Sequence, residues 1–157
     1  MNDVIVARVL HVLAVVIWIG GVSMVTTIVL PAVRRQAFGG DSAQAFQAVE
    51  RRFVWQARAA LIVVGVTGLY MTARLDLWNR FRSEEFWWMH AMVCLWVLFA
   101  IILFIAEPIV SRRVRAAPMN VRAEKRLAWL QRAHWALLAL SVVTVAGAVA
   151  GSQGWSF

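Results

Sequence analysis

The chain has 157 residues, of which 62% are hydrophobic and only 15% are charged. Soluble domains carry roughly one-quarter charged residues, so this composition excludes an ordinary soluble domain and predicts an integral membrane protein. The net charge of +8 does not indicate a nucleic-acid partner, because Lys and Arg cluster beside apolar segments, where anionic lipid headgroups account for them. With Cys94 as its single cysteine, the chain excludes an intrachain disulfide and a CxxC metal motif.

Four apolar segments are long enough to cross a bilayer, which takes about 20 residues of helix. They predict an all-α, four-helix membrane bundle that forms a single transmembrane domain over residues 1–157. The first segment is too long for the hydrophobic region of a signal peptide and has no basic stretch before it, so we expect it to be retained. The four segments are 4–30, 53–73, 86–110 and 127–150.

The distribution of basic residues predicts the orientation of the bundle. The connections after the first and third segments carry most of the Lys and Arg, and the second connection is balanced by acidic residues. The positive-inside rule therefore puts both termini and the second connection outside, in a multi-pass protein of a bacterial-type inner membrane. The basic residues of the two inner connections are Arg34, Arg35, Arg51 and Arg52, and then Arg112, Arg113, Arg115, Arg122, Lys125 and Arg126.

Two histidines, His11 and His90, lie a few residues inside the first and third segments. Those segments cross in the same direction, so we expect both imidazoles at nearly the same depth near the outer face. An ionisable residue within a membrane span is costly and is a functional candidate. Helix bundles build metal and cofactor sites from side chains on facing helices, so this pair predicts a shared metal centre.

The residues around His11 favour haem b. One helical turn places Arg8 nearer the outer surface, where its guanidinium can pair with a haem propionate, and Trp18 one heptad inward, where it can pack against the macrocycle. Two axial imidazoles favour one-electron transfer over gas binding. The alternative is that His11 only bonds a neighbouring helix while Arg8 reaches the headgroups.

Copper is the second interpretation of the same region. Soft thioether and thiolate ligands select Cu(I), and a group of them surrounds His90 in the third segment. Successive helical residues point about 100 degrees apart, however, so they cannot all face one ion without help, and methionine more often fills apolar gaps. The alternative copper ligands are Met89, Met92 and Cys94.

A third histidine, His134, is predicted near the inner face, away from the other two. The charged residues expected at this level predict a polar cluster in which Glu107 pairs with Arg58 or Arg132, because buried charges are normally paired. A proton or quinone site is the alternative. Glycine pairs are also expected at helix contacts, and Gly147 with Gly151 offers a seam for a homo-oligomer.

The run LHVLAVVIWIGGVSMVTTIVLP, followed by RAALIVVGVTGLYM and a third helix ending in RR, resembles the CopD-like copper resistance membrane domain across nearly the whole chain. The pieces HVLAVVIWIGG and WWMHAM also resemble the histidine-bearing segments of HemJ-type protoporphyrinogen oxidases, which are small haem-b membrane proteins. That resemblance implies that His11 and His90 are haem-associated. The HemJ pattern has a lysine where this chain has Met92, which argues against the oxidase activity.

These observations predict a membrane haem b protein with His11 and His90 as axial ligands, acting in one-electron transfer. A CopD-type copper transporter is the alternative, and a subunit whose histidines only join helices is a third. The short connections leave little surface for catalysis, so the expected partners are the lipid bilayer and a quinone or docked redox protein. Whether the chain is an oxidoreductase with turnover is left open by the sequence.

Overall fold

The computed structural model describes residues 2–35, 42–115 and 122–155, which are mostly helical and contain no strand. Helix α1 consists of α-helical Asn2–Met24, π-helical Val25–Val29 and α-helical Leu30–Arg34. Helix α2 is Ser42–Arg74, and 3-10 turns at Leu77–Arg82 and Glu84–Phe86 lead to the next helix. Helix α3 consists of Trp87–Ile101, π-helical Ile102–Ala106 and Glu107–Arg115, and helix α4 is Arg122–Ser152.

Each of the four helices contains a stretch long and apolar enough to cross a membrane. Many large apolar side chains on these helices face outward, as at Val16, Val66 and Ile105, which are 63%, 64% and 56% exposed. Such a surface is stable only against lipid. The chain is therefore an all-α membrane protein with four spanning helices, as the composition predicted. The spans are Asn2–Arg34, Arg51–Arg74, Glu84–Arg112 and Ala128–Ser152.

The helices form two antiparallel hairpins, α1 with α2 and α3 with α4, which meet through the pairs α1–α4 and α2–α3. Asp3 joins the start of α1 to the end of α2 by accepting hydrogen bonds from Tyr70 (2.7 Å) and Arg74 (3.1 Å). Helices α1 and α3 thus run in the same direction. We call the end of the bundle near His11 and His90 the histidine end, and the opposite end, with the prolines of α1 and α3, the proline end.

The core contains residues from all four helices. Trp18 of α1 is 3% exposed, and its ring meets the ring of Phe99 on α3 edge to face, with 4.7 Å between centroids. Leu61 of α2 and Leu138 of α4 complete the contact between the hairpins. These buried contacts determine how the hairpins pack against each other. The outer apolar faces do not, because lipid solvates them equally well in any arrangement.

Helices α1 and α3 share an irregularity that the sequence did not reveal. Their π-helical stretches begin at Val25 and Ile102, which are 77 positions apart, as are Pro31 and Pro108. In the π-helical register a carbonyl accepts from the N–H five residues later, and proline has none. The carbonyls of Thr26 and Leu103 are therefore left without a backbone donor. Helices α1 and α3, the first helix of each hairpin, therefore share the same irregularity at the same position.

Glycines provide the close contacts between helices. A Cβ built on Gly65 would lie 2.6 Å from the ring of Trp96, and one on Gly147 would lie 2.5 Å from the ring of Trp87. The space beside Gly151 is filled in the same way by the ring of Trp88. The glycine pair proposed as a seam between copies thus receives two tryptophans of α3 within a single chain. Gly65, Gly147 and Gly151 therefore serve helix packing.

Candidate metal centre

His11 lies half-buried in the contact between α1 and α2. Its Nδ1 is 2.9 Å from Thr67 Oγ1, and its Cε1 would be 3.2 Å from a Cβ on Gly68. The missing side chain at Gly68 is what lets the imidazole approach α2. The ring is therefore positioned from two sides, by a hydroxyl and by the surface of a glycine.

The hydrogen bonds of Thr67 determine which nitrogen of His11 carries a proton. The hydroxyl donates its only proton to the carbonyl of Val63 at 2.6 Å. Its oxygen can then only accept from His11, so Nδ1 is the protonated nitrogen and Nε2 keeps its lone pair. A histidine that donates from one ring nitrogen to an oriented oxygen and presents the other nitrogen to a metal is the usual arrangement of a metal ligand.

His90 is held differently, by the connection between α2 and α3. Its Nε2 lies 3.0 Å from the carbonyl of Phe81, and its Nδ1 lies 3.3 Å from the carbonyl of Phe86. The Phe81 ring also meets the imidazole edge on, at 5.5 Å between centroids. Carbonyls only accept, so both contacts are satisfied together only when the ring is doubly protonated. In this arrangement the Nε2 of His90 is occupied by the chain itself.

The two rings thus have separate partners, His11 on α2 and His90 on the following connection. Their depths along the bundle are comparable. His11 is level with Gly68 of α2. Trp96 is level with Gly65, and His90 lies six residues from Trp96 toward the histidine end. At about 1.5 Å of rise per residue, His90 lies roughly 4 to 5 Å nearer the histidine end. The two histidines fit haem to different degrees. His11 already has the hydrogen-bonding of an axial ligand. His90 could bind iron through Nε2 only after its contact with the Phe81 carbonyl is broken.

A cavity of about 270 Å³ opens beside His90. It is lined by residues of the connection between α2 and α3 and of the start of α3, and His11 is not among them: Phe81, Arg82, Ser83, Glu84, Trp87 and His90. The cavity therefore belongs to the connection rather than to a space between the two histidines.

The two residues expected to accompany His11 lie in different surroundings. Arg8 is exposed at the histidine end of α1, at the level where a charged group can reach the membrane surface. Trp18 lies in the core against Phe99, one heptad below His11. Arg8 is thus exposed at the histidine end, and Trp18 packs in the centre of the bundle.

The alternative copper ligands do not share a face of α3. Met89 is 5% exposed, Met92 is half-buried, and Cys94 is exposed like His90. Helical geometry separates them as expected. Within the described residues, no three His, Cys, Asp or Glu side chains form a group that could hold an ion.

Of the charged residues predicted at the level of His134, Arg58 and Glu107 form a pair, and the described residues show no larger cluster. Arg58 donates to Glu107 Oε2 at 2.7 Å and to the Leu103 carbonyl at 2.7 and 3.0 Å. Its guanidinium also lies over the rings of Trp55 and Phe104. Arg58 thus neutralises Glu107 and satisfies the carbonyl that Pro108 leaves without a donor.

Arg132 and His134 stand apart from that pair. Arg132 is exposed, and the Nδ1 of half-buried His134 lies 2.9 Å from the carbonyl of Leu130 in its own helix. The carbonyl accepts, so Nδ1 of His134 carries the proton. His134 is therefore engaged with α4 itself.

Three residues important to these sites were missed in the sequence analysis. Thr67 orients His11, and the carbonyl of Phe81 contacts Nε2 of His90. Gln131 donates a hydrogen bond to the Thr26 carbonyl at 2.7 Å. A polar residue within an apolar span was the available signal for Thr67 and Gln131. The contact of Phe81 uses its backbone, so its side chain gave no signal.

Comparison with known proteins adds no relative. No model of a protein family matches the chain, and neither a curated protein nor a solved structure is significantly similar to it.

Proposed function

We propose that this chain is a membrane haem b protein that acts in one-electron transfer, with His11 and His90 as axial ligands. The observation that carries the proposal is the hydrogen bond of His11 to Thr67, which favours the tautomer with its proton on Nδ1 and its lone pair on Nε2, as in a metal ligand. The comparable depths of the two histidines support it. The distribution of arginine supports a bacterial-type inner membrane with both termini outside.

The proposal requires His90 to exchange one partner. Its Nε2 must release the Phe81 carbonyl before it can bind iron, and Phe81 lies in a 3-10 turn of the connection, outside the long helices. Short 3-10 turns have poorer hydrogen-bond geometry than α-helices, so this contact should be easier to exchange than one within a long helix. His11 and Thr67, by contrast, are on two helices packed along their length and need no rearrangement.

When bound, haem supplies the one-electron couple, with a potential set by ligation, hydrogen bonding and burial. Thr67 holds the proton of His11 on Nδ1, and Gly68 leaves room for the ring. Arg8 offers a guanidinium to a propionate carboxylate at the histidine end. The short connections favour a quinone or a docked redox protein as the electron partner.

The test is the absorbance spectrum of the full chain purified from membranes. We expect a Soret band and sharp bands in the reduced state, lost in His11→Ala and His90→Ala. His134→Ala is the matched control, since His134 is also an intramembrane histidine but bonds its own helix. Haem retained in both single variants would refute the ligand assignment.

A CopD-type copper-handling protein is the alternative, and the same preparation distinguishes it. If the purified protein is colourless and carries stoichiometric copper, the result would support copper handling instead of haem binding. A colourless and metal-free protein, even after reconstitution with haem, would leave the histidines as residues that join helices. Either result would overturn the haem assignment.

A further inference from the structure

A cavity of about 430 Å³ lies at the proline end, between α1 and α4. It is separate from His11 and His90, and its lining does not include the Arg58–Glu107 pair. Its lining combines two guanidinium groups with a buried amide and an indole: Pro31, Arg34, Arg35, Gln131 and Trp135.

Gln131 is the unusual member of this lining. It is 7% exposed, and its Nε2 donates to the Thr26 carbonyl at 2.7 Å. Its Oε1 is fully buried and has no hydrogen-bond partner within the part of the chain that the structure describes. A buried acceptor without a donor is costly, so a ligand that donates a hydrogen bond would be favoured here once a small shift of the amide opens Oε1 to the cavity.

The charge of the cavity specifies the rest of the ligand. Arg34 and Arg35 are exposed and adjacent, and guanidinium groups bind phosphate oxygens in a planar, bidentate manner. The ligand should therefore carry a phosphate near a hydroxyl or similar donor. An anion without a donor would leave Gln131 unsatisfied.

The position of the cavity identifies the source of that phosphate. Arg34 is the last residue of the apolar span of α1, so the cavity lies where lipid headgroups meet the protein. Ile28, seven residues from Arg35 and so on the same face of α1, is 63% exposed, which leaves apolar surface for an acyl chain below the cavity. Trp135, half exposed at the rim, suits the boundary between headgroup and chains.

We propose that this cavity is a specific site for an anionic glycerophospholipid whose headgroup carries a hydroxyl, as phosphatidylglycerol does. Arg34 and Arg35 bind the phosphate, and Gln131 Oε1 accepts from the headgroup hydroxyl. The site does not depend on haem binding. Basic pockets between membrane helices are known to hold anionic lipid headgroups.

The experiment measures thermal unfolding of the delipidated full chain in neutral detergent as lipid is titrated. We expect phosphatidylglycerol to stabilise the protein with an apparent affinity roughly tenfold or more above that of phosphatidylcholine, since charge-assisted hydrogen bonds are being made. Phosphatidylmethanol has the same charge but no hydroxyl, and should bind more weakly than phosphatidylglycerol. Equal binding of these two anionic lipids would overturn the role of Gln131.

Two double variants test the arginines. Arg34→Gln with Arg35→Gln should abolish the preference for phosphatidylglycerol. Arg51→Gln with Arg52→Gln removes the same charge from exposed residues of α2 at the same end and should preserve it. Equal loss in both would show general attraction to the basic surface and overturn the site. Equal stabilisation by inorganic phosphate would assign the cavity to a free anion and overturn the lipid proposal.

Discussion

Gln131 on α4 donates a hydrogen bond to the carbonyl of Thr26 on α1, the carbonyl that Pro31 leaves without a backbone donor. Arg58 on α2 does the same for Leu103 on α3. In lipid an unpaired carbonyl has no water to bind, so Pro31 and Pro108 each call for such a side chain from a neighbouring helix. In each hairpin the carbonyl that proline leaves without a donor is thus paired by a side chain of the other hairpin, Gln131 for Thr26 and Arg58 for Leu103.

Gln131→Leu should destabilise the bundle by about 1 kcal/mol, because it leaves the Thr26 carbonyl buried and unpaired. Pro31→Ala restores a backbone N–H, so the double variant with Gln131→Leu should recover much of that loss. Chemical unfolding in detergent micelles measures both. A double variant as unstable as Gln131→Leu alone would show that Gln131 acts through packing rather than through this carbonyl.

Arg58→Leu should be more damaging than Glu107→Gln. It leaves both a carboxylate and the Leu103 carbonyl without their donor, whereas the glutamine variant keeps the bonds of Arg58 to the backbone. We expect a loss of about 2 kcal/mol or more for the arginine variant, and part of it should return when Glu107→Gln is added. Equal losses in the two single variants would contradict this division of roles.

Thr67→Val should change the behaviour of His11 without altering the fold. Valine has a similar shape but no hydroxyl, so Nδ1 of His11 loses its acceptor and the tautomer is no longer determined. We expect weaker haem retention, by roughly tenfold or more, and an altered reduction potential. Redox titration of the haem spectrum measures this, and Thr67→Ser should behave as the unaltered protein. A potential and haem content unaffected by Thr67→Val would remove Thr67 from the site.

Two glycines should respond oppositely to alanine. Gly65→Ala presses on Trp96, whose indole is held by a 2.9 Å hydrogen bond to the Leu61 carbonyl, and should cost about 1 to 3 kcal/mol. Gly20→Ala meets nothing within 4 Å and should be neutral or stabilising, because alanine is the better helix former. Unfolding free energies in the same detergent compare them. Similar losses at both positions would contradict the assignment of Gly65 as a contact surface.

The sequence analysis anticipated the four helices closely because an apolar stretch of sufficient length has few alternatives in a bilayer. Helix α2 begins at Ser42, eleven residues ahead of the apolar segment predicted from residue 53. The pairing of Glu107 with Arg58 was one of two expected options, and local sequence could not choose between Arg58 and Arg132. That choice depends on which helix α3 packs against.

The sequence by itself determined that this chain crosses a membrane four times, since composition and segment length decide that through the cost of burying polar backbone. Tertiary structure alone decided the partners of the histidines: Thr67 for His11 and the Phe81 carbonyl for His90. It also decided which carbonyls the prolines release and which side chains satisfy them. These outcomes depend on the rotation and register of the helices, which outward apolar faces do not encode, because lipid satisfies every such face equally well.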